Sequence, residues 1–272
     1  MAHLAIVAGK GSLPGVLSQA LVAQGTTPII AHLQDFPPEG VDLPLEPFRI
    51  ERLAPFIARL HDLSVDRVIF AGAVQRPRLD PEQFDPRTAM MVPRMLAAMQ
   101  QGDDATLREV IAIFEEEGLA VVGADAVLPD LVPQAGVLGV HQPGSRDRAD
   151  AARAAAVVAA LGAADVGQGA VVSGGLCLAA EALPGTDAML GQVAALGPLR
   201  PDRAGLLYKA PKPGQDKRVD LPALGPATVR NAHAAGLAGI AFEAGGVLLL
   251  DREAMIAEAD RLGLFLWARA AE

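Results

Sequence analysis

The sequence predicts an α/β protein of two domains with a ligand cleft between them. In the first half, short apolar runs alternate with amphipathic stretches, which is the βαβ rhythm of a mainly parallel sheet covered by helices. Around residues 131–141 this rhythm lapses into a Pro- and Gly-containing run, and strand pairs then mix with helices. We therefore expect an N-terminal domain with a mainly parallel sheet at 1–132, a linker at 133–141 and a C-terminal mixed α/β domain at 142–272.

The elements of the first half follow from apolar runs and from the residues that bound them. Apolar runs predict strands at 4–8, 27–33, 67–72 and 119–122. Helical periodicity predicts a helix that opens at Pro14, where a missing N–H is harmless, and further helices at 50–60, 87–101 and 103–118. Met91, Met95 and Met99 form a stripe on the third of these helices, which favours ordinary core and leaves an acyl-chain groove as the alternative.

The second half is predicted in the same way. Helices are expected at 147–161, 187–195, 227–235 and 252–262, the last ended by Gly263. The runs 170–173 and 176–180, separated by Gly-Gly, predict a β-hairpin. A strand should lead into Lys209, the runs 238–242 and 247–250 should pair with each other, and 264–267 should form a last strand.

Composition excludes several classes of protein. A net charge of −9 and 4% aromatic residues argue against nucleic-acid binding and against electrostatic attachment to an anionic membrane. No run approaches the length of a membrane span, and the N-terminus lacks the features of a signal peptide. The single cysteine, Cys177, excludes an intramolecular disulfide and is expected to be buried. We expect a cytoplasmic protein with a homodimer as the default oligomer.

The most informative feature is the distribution of lysine. The chain has four lysines, and three of them, Lys209, Lys212 and Lys217, fall within nine residues. The segment from Tyr208 to Gly225 also carries Arg218, Asp216 and Asp220 among three prolines and two glycines. Cations beside carboxylates suit phosphate binding and phosphoryl chemistry, whereas the alternative is a solvated loop with salt bridges. If the segment is extended, Asp216, Arg218 and Asp220 should share one face.

A second candidate anion site joins the first predicted strand to the first helix. The turn comprises Gly9, Lys10, Gly11, Ser12 and Leu13, and it could seat a phosphate at the helix N-terminus. It departs from the dinucleotide fingerprint because Pro14 stands at the third glycine position, and Asp35 could still mimic the ribose-binding acid. An NAD(P)-dependent oxidoreductase is therefore an alternative.

Two further observations complete the candidate site. Arg76 follows the third predicted strand at the end where open α/β sheets bind ligands. The five histidines show no metal-ligand spacing, so any metal should be a hard cation such as Mg²⁺ held by carboxylates and substrate phosphates.

Taken together, the motifs resemble those of the UDP-2,3-diacylglucosamine pyrophosphatases of the LpxI type across nearly the whole chain. The matching pieces are Ala8-Gly-x-Gly-x-Leu-Pro14, Ala71-Gly-x-Val-x-Arg-Pro77, Gly102-Asp-Asp-x-x-Leu-Arg108, Gly167-Gln-Gly-Ala-Val-Val172, Glu181 with Gly185-Thr-Asp-Ala-Met189, Lys209-Ala-Pro-Lys-Pro213 and Arg218-Val-Asp-Leu-Pro-x-x-Gly225.

The resemblance implies a Rossmann-like N-terminal half and a distinct catalytic C-terminal half. It implies Mg²⁺-dependent hydrolysis of UDP-2,3-diacylglucosamine to UMP and 2,3-diacylglucosamine 1-phosphate (lipid X) in lipid A biosynthesis. It also makes the acid of the Arg-Val-Asp-Leu-Pro segment, here Asp220, the key catalytic residue. A lipid substrate is compatible with peripheral contact at the cytoplasmic face of the inner membrane. A nucleotide-sugar- or lipid-binding protein without turnover is the non-enzymatic alternative.

The expected site residues fall into three groups. The catalytic candidates are Asp220, Lys209 and Arg218, and the metal-ligand candidates are Asp220, Asp216 and Asp187. The substrate-binding candidates are Gly9, Lys10, Gly11, Ser12, Leu13, Arg76, Gln168, Thr186, Lys212 and Gln215.

Overall fold

A computed structural model describes residues 3–74, 78–199 and 204–271 of the chain. The chain forms two compact units, Met1–Pro129 and Asp130–Glu272. Each unit has its own sheet and helices, so the predicted α/β class is confirmed. Across the described ranges, no helix has both the length and the apolar character needed to cross a bilayer.

The first unit is built on a five-stranded sheet in which all pairings are parallel. Its strands are β1 (His3–Ala8), β2 (Ile29–Leu33), β3 (Leu45–Phe48), β4 (Val65–Ala71) and β5 (Ala120–Val121). Its helices are α1 (Leu13–Ala23), α2 (Leu53–Asp62), α3 (Pro86–Gln101) and α4 (Asp103–Glu116). The strand order β3-β2-β1-β4-β5 reverses between β1 and β4, as in a Rossmann-like sheet.

Two features of the first unit are an edge strand that was not predicted and the partial burial of the methionine stripe. Strand β3 lies at the sheet edge, where Pro47 is tolerated because an edge strand has unpaired backbone groups. The methionine stripe is partly core: Met95 is buried, Met91 and Met99 are half-buried, and the adjacent Met90 is 80% exposed.

The second unit contains a six-stranded mixed sheet and a separate two-stranded sheet. The large sheet comprises β6 (Gly136–Leu138), β7 (Gly169–Ser173), β8 (Leu176–Ala180), β9 (Leu206–Lys209), β11 (Gly239–Glu243) and β13 (Phe265–Arg269), in the order β6-β13-β11-β9-β7-β8. The small sheet pairs β10 (Ala223–Leu224) with β12 (Leu248–Leu249) in parallel. The helices are α5 (Ser145–Ala163), α6 (Gly185–Ala194), α7 (Pro226–Ala234) and α8 (Arg252–Leu262).

Side-chain alternation along β9 divides the core of this unit into two layers. Leu206 and Tyr208 pack with α5 on one face of the sheet. Leu207 packs with α6, α7 and α8 on the other face. Because successive side chains of a strand point to opposite faces, Lys209 belongs to the face covered by α6.

The predicted hairpin of β7 and β8 is present, whereas two other expectations for this half are wrong. The runs 238–242 and 247–250 do not pair with each other: β11 pairs in parallel with β9 and β13, and β12 pairs with β10. Cys177 is exposed rather than buried, because β8 is an edge strand. The segment 133–141 contains β6, which pairs antiparallel with β13.

Candidate active site

The candidate site lies at the carboxyl ends of strands β8, β9 and β11 in the large sheet of the second unit. Strand β8 runs parallel to β9, because both are antiparallel to β7, and β9 is parallel to β11. The carboxyl ends of these strands therefore carry Glu181, Lys209 and Glu243 at the same edge. This is the edge at which open α/β sheets bind ligands.

Lys209 is the buried centre of this edge. Only 5% of Lys209 is exposed to solvent, and its Nζ donates a hydrogen bond to Thr186 Oγ1 at 2.7 Å. Thr186 Oγ1 in turn donates to Glu181 Oε1 at 3.0 Å, and Glu181 Oε2 lies 3.5 Å from Lys209 Nζ. A lysine, a hydroxyl and a carboxylate thus form a compact triangle beside the first turn of α6.

The pKa of Lys209 depends on burial and on the charges of three carboxylates, two of which belong to predicted site residues. Burial lowers the pKa of Lys209 below the ordinary lysine value of 10.5, because an ammonium loses solvation when it leaves water. The negative charges of Glu181, Asp187 and Asp220 oppose this effect by stabilising the ammonium. Asp187 and Asp220, two predicted site residues, therefore act on the predicted catalytic lysine.

Gln215 holds the loop that follows β9 in place. Its side chain is buried, and its Oε1 accepts from the Lys212 backbone N–H at 2.8 Å and from Gln168 Nε2 at 3.2 Å. Its Nε2 donates to both the carbonyl oxygen and the carboxylate of Asp220. Gln215 and Gln168 thus lie together, and the Asp220 carboxylate is oriented by an amide.

Asp216 and Arg218 form an ion pair at a turn and are not neighbours on one face of an extended segment. Residues 217–219 form a turn, in which the Val219 N–H donates to the Asp216 carbonyl at 3.3 Å. Arg218 donates to Asp216 Oδ1 from Nε at 2.9 Å and to Oδ2 from its second terminal nitrogen at 2.7 Å. The expected alternation of Asp216, Arg218 and Asp220 on one face is therefore wrong, because the Asp216 carboxylate folds back onto the next turn.

The three clustered lysines occupy different environments. Lys212 is largely buried at its side chain (15% exposed) and donates to Asp165 Oδ1. The Lys217 side chain is 53% exposed and lies 3.1 Å from Glu243 Oε1. Of the three, Lys209 alone belongs to the buried triangle with Thr186 and Glu181.

The start of α6 supplies two more of the predicted residues. Thr186 and Asp187 lie in the first turn of this helix, whose N–H groups have no intrahelical acceptor and favour anions. Asp187 Oδ1 accepts from Asn231 Nδ2 at 2.8 Å, which links α6 to α7.

Close backbone contacts and a positive φ explain why the turn after β1 contains Gly9 and Gly11. Gly9 N–H donates to the Ala71 carbonyl at 2.7 Å, and Lys10 exchanges backbone hydrogen bonds with Ala73 at 2.8 and 2.9 Å. A Cβ on Gly9 would lie 2.5 Å from the Ala73 carbonyl oxygen, and Gly11 adopts φ +99°. The turn after β1 is thus tied to the turn after β4.

The other predicted residues of this turn lie beside it. The exposed Lys10 places its ammonium 6.0 Å from the Phe36 ring centroid. Ser12 is the N-cap of α1, and Leu13 is its first residue. Arg76 lies outside the described residues.

The residues around Lys209 permit only a partial metal site. Among residues 3–74, 78–199 and 204–271, no three His, Cys, Asp or Glu side chains converge closely enough to hold a metal ion by themselves. Such a site would need oxygens from a substrate as well, which is usual for Mg²⁺ bound to phosphates.

Glu181 is the residue that our site prediction omitted, although it belongs to the motifs quoted above. Two glycines carried a usable signal: a Cβ on Gly167 would overlap the Glu181 carbonyl, and a Cβ on Gly169 would overlap the Glu181 carboxylate. Recognising this signal requires the β7–β8 pairing, which places the two glycines against Glu181. Asp165 and Asn231, the partners of Lys212 and Asp187, were also missed.

Comparisons with known proteins agree across both units. Residues 3–131 match the sequence model of the LpxI N-terminal domain, and residues 134–267 match that of the LpxI C-terminal domain. The chain is 42% identical over 271 residues to a Caulobacter vibrioides protein named UDP-2,3-diacylglucosamine pyrophosphatase LpxI, covering 98% of this chain and 97% of that relative. The chain belongs to the LpxI family.

Proposed function

We propose that this chain hydrolyses the pyrophosphate bond of UDP-2,3-diacylglucosamine to UMP and 2,3-diacylglucosamine 1-phosphate in lipid A biosynthesis. The name of the Caulobacter relative and the match of both domain models support this reaction. The structural observation that carries it is the buried Lys209 ammonium at the carboxyl ends of the strands, where it contacts Thr186 and Glu181 and is stabilised by the charges of Asp187 and Asp220. A pyrophosphate diester bears two negative charges, which such a cation can bind.

Each catalytic candidate has a distinct chemical task in this proposal. Lys209 and Arg218 neutralise charge that builds up on the phosphoryl oxygens. Asp220, oriented by Gln215, accepts a proton from the attacking water, whose oxygen bonds to phosphorus as the bond to the bridging oxygen breaks. The bridging oxygen leaves with the other phosphate group, which accounts for both products.

The remaining candidates are proposed to bind substrate. Lys212, Gln168 and Gln215 shape the loop beside Asp220, and Thr186 offers its backbone N–H in the first turn of α6. In the first unit, the turn at Gly9, Lys10, Gly11, Ser12 and Leu13 lies at the carboxyl end of β1. Arg76, which lies outside the described residues, keeps its proposed role in binding substrate.

The residues around Lys209 fit a divalent cation such as Mg²⁺ if substrate oxygens complete its coordination. Asp220 and Asp187 would hold it together with substrate oxygens, whereas Asp216 is occupied by its paired hydrogen bonds to Arg218. When bound, the cation would supply positive charge to the phosphoryl oxygens.

The test is a direct assay of product formation. Purified protein incubated with UDP-2,3-diacylglucosamine and MgCl₂ should release UMP, and EDTA should stop the release. Asp220→Ala should lower kcat by about 10³-fold or more, because removal of a catalytic base abolishes activation of the water. Asp42→Ala, at an exposed position of the first unit, serves as the matched control and should keep normal turnover.

The same assay separates the alternatives. Binding of substrate without release of UMP would indicate a binding protein, and thermal stabilisation by NAD(P)H with no hydrolysis would indicate an oxidoreductase. Near-normal turnover of Asp220→Ala would refute the catalytic assignment.

A further inference from the structure

We infer that Glu181 and Thr186 are positioning residues that hold the Lys209 ammonium in its working orientation, and that Gly167 and Gly169 keep open the space that Glu181 occupies. The inference rests on the proposed function, in which Lys209 binds the pyrophosphate. It assigns a task to Glu181 and to the Gly-Gln-Gly motif, which the proposed reaction does not otherwise explain.

The first argument is the direction of the hydrogen bonds. An ammonium only donates, so Thr186 Oγ1 accepts from Lys209 Nζ at 2.7 Å. The single hydroxyl hydrogen of Thr186 then points to Glu181 Oε1 at 3.0 Å. While this chain of hydrogen bonds is intact, the Thr186 hydroxyl has no hydrogen left for a phosphate. Its side chain therefore acts through Lys209, not on the substrate.

The second argument is the state of the other carboxylate oxygen. Glu181 Oε2 is buried, lies 3.5 Å from Lys209 Nζ, and accepts no hydrogen bond from the residues that the structure describes. A buried carboxylate oxygen without a hydrogen bond is costly unless a cation faces it. Lys209 is that cation, and Glu181 fixes its head from a second side.

The third argument is the space left for Glu181. The Glu181 N–H donates to the Gly169 carbonyl at 2.8 Å, which anchors the residue at the end of the hairpin. Any side chain at Gly167 would overlap the Glu181 backbone, and any side chain at Gly169 would overlap Glu181 Oε2. Neither glycine has a positive φ, so the need for glycine here is steric and not conformational.

A double-mutant cycle tests whether Glu181 acts through Lys209. Glu181→Gln keeps the side-chain shape and should lower kcat/KM by about 10- to 100-fold, because the buried ammonium loses the negative charge that faces it. In a Lys209→Met background the same change should lower kcat/KM less than about 3-fold, because its target is gone. Thr186→Val should resemble Glu181→Gln, and Thr186→Ser should restore activity to within about 3-fold of the parent, since it returns the hydroxyl.

Glycine variants provide an independent test. Gly169→Ala should reproduce the loss seen in Glu181→Gln, because the added methyl displaces the carboxylate. The matched control is Gly191→Ala, in α6, where a Cβ would meet nothing within 4 Å and alanine is the better helix former. Melting temperatures of all variants show whether a loss of activity reflects unfolding.

The outcomes distinguish this inference from the proposed function. If the parent protein releases no UMP, the proposed function fails. If the parent is active and the effects of Glu181→Gln and Lys209→Met multiply independently, or if Thr186→Val keeps full activity, the positioning role is refuted while the reaction stands.

Discussion

Three lysines within nine residues show how strongly environment separates residues of one type. Lys217 keeps its charge in solvent at little cost, and a surface ion pair such as that with Glu243 contributes about 0–1 kcal/mol. Lys209 instead carries a charge in a nearly closed site, which is unfavourable unless carboxylates and a hydroxyl compensate. Buried and perturbed groups of this kind concentrate at functional sites.

At the residue scale we therefore expect unequal effects within the cluster. Lys209→Met should reduce kcat/KM for UMP release by about 100-fold or more, because the cation that we propose to bind the phosphates is lost. Lys217→Met should change it by less than about 3-fold, because its ammonium is exposed and pairs only at the surface. Steady-state kinetics of the two variants, with melting temperatures as a check on folding, decide the matter. Equal losses would mean that the whole segment, and not the buried lysine, binds the anion.

At the scale of elements, apolar runs and glycines located most of the long helices and the central strands. The strands that were missed, β3, β6 and β10, span four, three and two residues. Segments this short contain too few residues for a period of two to be visible. The partners of β11 and β12 were also mispredicted, because parallel pairing joins residues far apart in sequence and no local signal encodes it.

The same limit applies to the candidate site. The lysine cluster, Asp220 and the start of α6 could be proposed from residue types and motifs. The contact of Lys209 with Glu181 could not, because it depends on the order β8-β7-β9. The turn at 217–219 was missed because Asp216 accepts from the Arg218 backbone N–H at 3.0 Å, a local competition that overrides extended structure.

The start of α3 is a second element whose stability depends on polar contacts. Asp85 caps this helix by accepting from the N–H groups of Arg87 and Thr88 at 3.0 and 3.1 Å. The Thr88 hydroxyl donates to Asp85 and accepts from the Ala54 N–H at 2.9 Å, which ties α3 to the start of α2. Burial raises the pKa of Asp85, but the hydrogen bonds from Thr88 and Arg87 lower it by more than that. The pKa of Asp85 therefore lies below its usual 3.8.

This lowered pKa gives a pH-dependent prediction for the helix. A carboxyl group whose pKa is lower in the folded state stabilises the fold above its unfolded pKa, and this contribution is lost as the pH falls through the folded pKa. Asp85→Asn should therefore destabilise the protein by about 1 kcal/mol at pH 7, because the neutral amide has one acceptor oxygen where the carboxylate uses two. The difference from the parent should shrink below pH 3.8. Denaturant unfolding at several pH values measures it.

The control for this experiment is an exposed aspartate. Asp62→Asn, at the last residue of α2, removes a charge without removing a cap and should leave stability within about 0.5 kcal/mol at every pH. A constant difference between Asp85→Asn and the parent from pH 7 to pH 3 would show that the charge of Asp85 does not stabilise α3.

At the scale of the whole molecule, the chain divides into two units, each with its own sheet and its own buried side chains. The contacts of the second unit begin well before its first helix. Strand β6 covers the edge of β13, and the Gly245 N–H donates to the Pro133 carbonyl at 3.0 Å. Asp260 accepts from the Val140 N–H at 2.8 Å. Residues 133–141 therefore form part of the folded second unit.

These contacts predict how fragments of the second unit will behave. The fragment 130–272 should unfold cooperatively, because it retains β6 and the contacts of Pro133 and Val140. The fragment 142–272, which begins where the sequence alone places the domain, should melt about 5–10 °C lower and aggregate more readily, because β13 becomes an uncovered edge strand. Circular dichroism melts and light scattering compare the two. If both fragments melt at the same temperature, β6 adds nothing to the sheet, and the segment that contains it connects the units without stabilising either.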